Sequence, residues 1–218
     1  MRKRIMQFAL AVVSATAFAR PVGATAQEIH ITNVTVFSGT AGVGTFAAKE
    51  EPTITCGEAA NLNHVTGTVS AGGTTGTTDV DLTSCHTNIG GFTIKCRTEG
   101  SPLDNTIKTT NTFHLITLNG KPASLVTGTV ATVICAGIST MIVSGNLIST
   151  ITSPSCGVAS KSMTLRATAT GSTQEDQTYT GVNYHPILQT GTSGAIKEVG
   201  VTAEGTGESP TAGTLDCT

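Results

Sequence analysis

The chain has 218 residues, 12 basic against 14 acidic ones, six cysteines and no tryptophan. Beyond residue 26 its basic residues stand singly, so that part of the chain has no patch to neutralise a run of phosphates or an anionic lipid surface. Charged side chains are 12 % of the chain while threonine reaches forty residues between Gln27 and Thr218, which points to a β-branched, hydroxyl-rich surface rather than a charged one.

The first 26 residues read as an export signal. Arg2, Lys3 and Arg4 form a positive start, an apolar run extends from Ile5 to about Phe18, and Ala24-Thr25-Ala26 supplies a small-x-small cleavage pattern. A cut after Ala19 ranks second. Removal of residues 1–26 takes away four basic residues and no acidic one, leaving eight against fourteen and a formal charge of −6. No later apolar stretch approaches the length of a membrane helix, and Asp216-Cys217-Thr218 is no apolar anchor. The expectation is a secreted protein, extracellular or periplasmic, with no integral membrane span and with residues 27–218 forming a single all-β domain.

Beyond the signal, short strand patterns follow one another. Ile29 to Phe37 is rich in β-branched residues, and Ser38 to Gly44 reads as a small-residue loop. Thr53 to Cys56 is a short strand. His64 to Ser70 and Thr77 to Cys85 flank Ala71-Gly72-Gly73-Thr74-Thr75-Gly76, a hairpin with a longer loop. Gly91 to Arg97 alternates Phe92, Ile94 and Cys96. Thr112 to Leu118 meets Asn119-Gly120, a dipeptide suited to a two-residue turn with positive φ, and Pro122 limits ladder pairing just beyond it. Ser124 to Cys135 continues the β pattern. Ile138 to Val143 and Leu147 to Thr152 flank Ser144-Gly145-Asn146, read as another hairpin turn. Lys161 to Thr170 alternates Met163, Leu165, Ala167 and Ala169; Gly171 to Gln177 is a polar loop; Ile196 to Ala203 and Thr214 to Cys217 are the last strands. No helical period occurs. The fold class expected is all-β, an antiparallel sandwich or open barrel, braced by disulfides.

Cys56, Cys85, Cys96, Cys135, Cys156 and Cys217 are even in number and expected in an oxidising compartment, so three disulfides are predicted. Six cysteines allow 15 pairings. The preferred set is Cys56–Cys85, Cys96–Cys135 and Cys156–Cys217, since the first two loops embrace adjacent strands and the third ties down the C-terminal end. No C-x-x-C occurs, which removes the core spacing of redox and zinc-ribbon sites.

Catalytic patterns are absent from the sequence. His30, His64, His86, His114 and His185 stand alone, without metal-ligand spacing. Gly191-Thr192-Ser193-Gly194 begins like a nucleophile elbow, but Ala195 breaks it. Gly42-Val43-Gly44 is a fragment of a dinucleotide fingerprint without its helix. The pairs Asp79/Asp81, Glu50/Glu51 and Glu175/Asp176 read as solvated charges, not as carboxylates facing across a substrate. Asn33-Val34-Thr35 has the form of a glycosylation sequon. No cofactor is expected, and no catalytic, cofactor-binding or metal residue is assigned.

Three pieces in order carry a resemblance: Thr53-Ile54-Thr55-Cys56, then His64-Val65-Thr66-Gly67-Thr68-Val69-Ser70 running on through Ala71-Gly72-Gly73-Thr74, then Leu82-Thr83-Ser84-Cys85. Over the signal and about residues 53–97 the chain resembles small secreted bacterial proteins called activators of alkane oxidation. After Cys85, where that family has a Leu-Pro-Trp-like stretch, this chain has Thr87-Asn88-Ile89-Gly90-Gly91. The resemblance implies an exported accessory protein that promotes use of hydrophobic substrates, and it carries over no active-site residue. The leading expectation is a secreted, non-enzymatic β-protein acting by binding or surface assembly, its partner an apolar ligand or a further copy of itself. An accessory activator or carrier for an alkane or lipid is the first alternative, and an exported hydrolase the second.

Overall fold

The alternation of small, hydroxyl-bearing and aliphatic residues folds as strands along nearly all of the chain that the computed structural model describes, residues 29–60, 62–102, 105–118, 120–136, 139–174, 188–192 and 195–217. The segment read as an export signal, Glu175/Asp176, His185 and Ser193-Gly194 lie outside these residues. In chain order the strands are β1 (His30–Thr32), β2 (Val36–Ala41), β3 (Gly44–Ala48), β4 (Ile54–Cys56), β5 (Asn63–Val69), β6 (Thr75–Leu82), β7 (His86–Ile89) and β8 (Phe92–Thr98). They continue with β9 (Ile107–Leu118), β10 (Lys121–Cys135), β11 (Ser139–Ser153), β12 (Ala159–Ala167), β13 (Ala169–Thr170), β14 (Thr173–Gln174), β15 (Leu188–Thr192) and β16 (Ala195–Asp216). The architecture is all-β and antiparallel, as the sequence pattern predicts, with one 14-stranded sheet and the small β13–β14 pair.

The pairing path of the large sheet returns on itself twice. One circuit runs β2, β5, β6, β9, β10, β11, β12, β16 and back to β2. The other runs β3, β4, β7, β8, β10, β11, β15, β16 and back to β3. The long strands β10, β11 and β16 belong to both. β10 and β11 change partners around a slip in their own ladder: two residues of β10, Thr127 and Gly128, stand against one of β11, Asn146. Gly128 has φ 72°, which fits a bulge.

Several boundaries differ from the sequence reading, each for a tertiary reason. Ser144-Gly145-Asn146 is no turn but part of β11, because the bulge lets the ladder run through it. Ile196 to Ala203 and Thr214 to Asp216 are parts of one 22-residue strand, β16, which pairs along most of its length with β15, β3, β12, β2 and β1 in turn. Ser38 to Gly44 is mostly strand: Gly39 packs against β16 so closely that a Cβ there would sit 2.4 Å from the Thr206 carbonyl oxygen. The Ile29 to Phe37 strand is split at Asn33, which has φ 60°. The Asn119-Gly120 hairpin has its two-residue loop, with Leu118 paired to Lys121 and Gly120 at φ 72°. Residue 119 itself lies outside the described set.

The cysteines pair as Cys56–Cys85, Cys96–Cys135 and Cys156–Cys217, the preferred set. The first two are buried side by side in a cluster with Ile54, Ile107, Val133 and Val201. The Cys96 amide donates to the Cys85 carbonyl at 2.9 Å, so the two bridges share a backbone contact. The third joins the β11–β12 loop to the end of the chain. A second cluster gathers Ile29, Phe113, Leu115, Ile151 and Leu215 within the first circuit.

Candidate functional site

Eight strands in a circuit leave room for either a filled interior or one small ligand. In the first circuit small lining residues stand among large ones: Ala41 on β2, Thr78 on β6, and Ala203 and Gly205 on β16 line the interior beside Phe37, Phe113, Leu115, Met163 and Leu165. Phe37 stands opposite Gly67 and Phe113 opposite Gly76 in register, so each ring lies across a glycine. The two rings meet edge to face with centroids 5.9 Å apart. This pair fills one part of the interior and leaves the rest unfilled.

The unfilled part is a cavity of about 290 Å³. It extends from Ile31, Val69 and Leu115 toward Ile54, Val133 and Val143, where the two circuits join. Val65, Val80, Leu82 and Leu147 line it between these ends and are half-buried, as residues bordering open interior should be. Its wall is almost wholly apolar. An engineered aliphatic cavity of roughly 150 Å³ stays dry and takes up benzene, so this one has room for about ten to twelve non-hydrogen atoms by the same measure.

The lining includes exposed residues at an irregularity of the sheet. Between the pairs Ser160–Gly213 and Ser162–Glu208, one residue of β12 stands against four of β16. Ser160, Lys161, Ser162, Glu208 and Ser209 at this break belong to the cavity lining, and Lys161 is exposed there. The arched segment of β16 is held from outside, where the Thr211 hydroxyl donates to the Asn33 carbonyl. Exposed Asn33, the acceptor of the sequon, therefore lies in the turn beside this arch.

Polar groups in the interior divide into two kinds. Asn63 is 2 % exposed and bonded at both ends of its amide: Nδ2 donates to the Gly42 carbonyl at 2.8 Å, and Oδ1 accepts from the Thr83 amide at 2.9 Å. That places Gly42-Val43-Gly44 as the β2–β3 turn held by Asn63, with no helix following. Gln174 likewise ties the β13–β14 pair to β16, donating to the Thr168 carbonyl and accepting from the Val201 amide. Asn111 is different. Its Nδ2 donates to Thr109 Oγ1 at 3.0 Å, while its Oδ1 is buried and has no partner.

The remaining groups singled out in the sequence do not converge. Asp79 accepts from the Thr110 hydroxyl at 2.6 Å and Asp81 pairs with Lys108 at 3.0 Å, both on the outer face of β6 and β9. Glu51 meets Lys197 at 2.9 Å, with Glu50 at 3.9 Å from the same ammonium. His30 Nδ1 lies 3.1 Å from the Gly72 carbonyl oxygen and His86 Nδ1 lies 2.9 Å from that of Ser84. His64 is exposed and His114 half-buried on separate strands. Gly191 and Thr192 end β15 in a ladder with β16. Among the described residues no three His, Cys, Asp or Glu side chains gather as metal ligands, and no helix is long and apolar enough to cross a membrane. Asn111 was not assigned from the sequence. The signal was present in the period-two series Ile107, Thr109, Asn111, Phe113, Leu115, which puts it on the same face as the two apolar residues after it.

Set against known proteins, the chain matches no protein family, no curated protein and no solved structure.

Proposed function

We propose that this protein is an exported, non-enzymatic binding protein that carries one small apolar ligand inside its sheet. The observation that carries this reading is the 290 Å³ apolar cavity in the first circuit, whose lining includes exposed residues at the β12–β16 break. Both edges of β2, β5 and β6 are paired, which favours binding in the interior over edge-to-edge assembly. The leader-like first 26 residues and the three disulfides support export to an oxidising compartment. The likeness of residues 53–97 to secreted activators of alkane oxidation points to the same ligand chemistry.

The affinity follows from size. At about −0.6 kcal/mol per non-hydrogen atom, between the limits for very small and drug-sized ligands, ten to twelve atoms give a Kd on the order of 10 µM. At tenfold excess over Kd the ligand adds about 1.4 kcal/mol, raising Tm by about 3–6 °C for a chain of this size. The test is thermal unfolding of the oxidised protein with alkanes, alkanols and fatty acids of six to ten carbons. A saturable rise, with one ligand bound per chain by calorimetry, is expected. Val80→Phe, which places a ring in the cavity, is expected to weaken binding at least tenfold while changing stability by less than 2 kcal/mol. No rise with any of these compounds would sink the reading.

A further inference from the structure

We propose that the ligand of this cavity is an amphiphile with one hydrogen-bond donor, such as a medium-chain primary alcohol, and that Asn111 Oδ1 receives that donor. The inference rests on the reading of the cavity as a ligand site and names the ligand's chemistry. Asn111 is 6 % exposed and lines the cavity, and its Oδ1 has no partner. Its Nδ2 is committed to Thr109 Oγ1 at 3.0 Å, two residues away on the same face of β9. This bond leaves the carbonyl as the amide's unfilled group.

The contrast with Asn63 is informative. Asn63 and Gln174 are satisfied from both ends by backbone groups, because leaving a buried acceptor unpaired is unfavourable, whereas Asn111 Oδ1 shares its lack of a partner with Asn105 Oδ1, which lies outside the cavity lining. A carbonyl oxygen kept unpaired just behind an apolar wall is an acceptor that an entering donor meets once the side chain turns toward the cavity. Thr78 faces Asn111 in register across the β6–β9 ladder, so Thr78, Thr109 and Asn111 form one polar spot on the lining, apart from the other polar lining residues such as Asn63, Ser124 and Thr129. Ile107 and Phe113 flank it along β9. An unpaired acceptor beside a mostly apolar wall selects one polar head on an apolar body. A site with a fixed acceptor discriminates strongly against an analogue that lacks the donor.

The probes are 1-octanol and its isomer heptyl methyl ether, which have the same atoms and differ in whether the oxygen carries a proton. The wild-type protein is expected to bind the alcohol about tenfold to hundredfold more tightly than the ether, measured by calorimetry. Asn111→Leu, of similar volume, is expected to bind both equally, with the alcohol reduced to the level of the ether. The side-chain amide resonances of Asn111 in the wild-type protein are expected to move with the alcohol and stay with the ether, which gives the same reading without any substitution. Equal or tighter binding of the ether by the wild-type protein would overturn the donor assignment and leave the cavity as a ligand site. Binding of neither compound, nor of any alkane or fatty acid, would overturn the proposal together with the carrier reading.

Discussion

Replacement of both Cys96 and Cys135 by alanine is expected to lower stability by about 4 kcal/mol and Tm by about 8–16 °C. The two cysteines lie directly opposite in the β8–β10 ladder, 39 residues apart in sequence, and are 0 % and 1 % exposed. Their bridge closes a loop whose chain entropy is worth roughly this much in the unfolded state. Cys56–Cys85 closes a 29-residue separation in the same cluster and should cost about as much. Loss of both approaches the whole folding free energy of an ordinary domain, about 5–15 kcal/mol, so the doubly depleted chain is expected to be unfolded at room temperature. Calorimetric unfolding of the three variants checks this. A drop below 1 kcal/mol for either single bridge would mean that the cluster is held by its aliphatic members alone. Accessibility separates the third bridge from these two. Cys156 is exposed, so alkylation under graded reductant should label Cys156 and Cys217 first, with the other four cysteines protected until the chain unfolds.

Gly76→Val is expected to lower stability by about 2–4 kcal/mol, although valine is the better strand residue by propensity. A Cβ at this position would lie 2.0 Å from the Thr68 carbonyl oxygen and 2.5 Å from the Phe113 ring. The carbonyl belongs to the neighbouring strand and cannot turn aside without opening the β5–β6 ladder. The ring cannot move freely either, since it already meets Phe37. Gly42→Ala is the matched control. Nothing stands within 4 Å of its Cβ direction, and its φ is not positive, so the change should be neutral or stabilise by up to about 1 kcal/mol through the unfolded state. Chemical denaturation of both variants against wild type is the measurement. Equal stability of Gly76→Val and wild type would show that the aromatic pair repacks at little cost.

These glycines also explain which strands were legible in the sequence. The hairpins around Gly73 and Gly120 were readable because these turn glycines have positive φ, a local steric requirement. Gly145 and the Gly205–Gly207 stretch give the same local signal for a different cause. In β16 the glycines keep clear of β2, where a Cβ at Gly205 would lie 3.0 Å from Ala41. A glycine required by a neighbouring strand looks identical, in one dimension, to a glycine required by a turn. The β7 strand went unrecognised because Thr87-Asn88-Ile89 is short, and the two residues after it, with φ 58° and 85°, form the turn to β8.

By itself the sequence determined the local choices. Period-two alternation fixed the antiparallel β class, the threonine content fixed the polar face, and the export-like start with six cysteines predicted three bridges. Tertiary structure decided where strands close into circuits, because closure depends on contacts between residues more than a hundred positions apart, such as those between β2 and β16. It also decided the cavity. An interior is empty or full according to the distance between facing walls, and no segment carries that distance in its own composition. Asn111 takes its meaning from the same source: the strand pattern places it inward, but only the assembled sheet leaves its carbonyl without a partner.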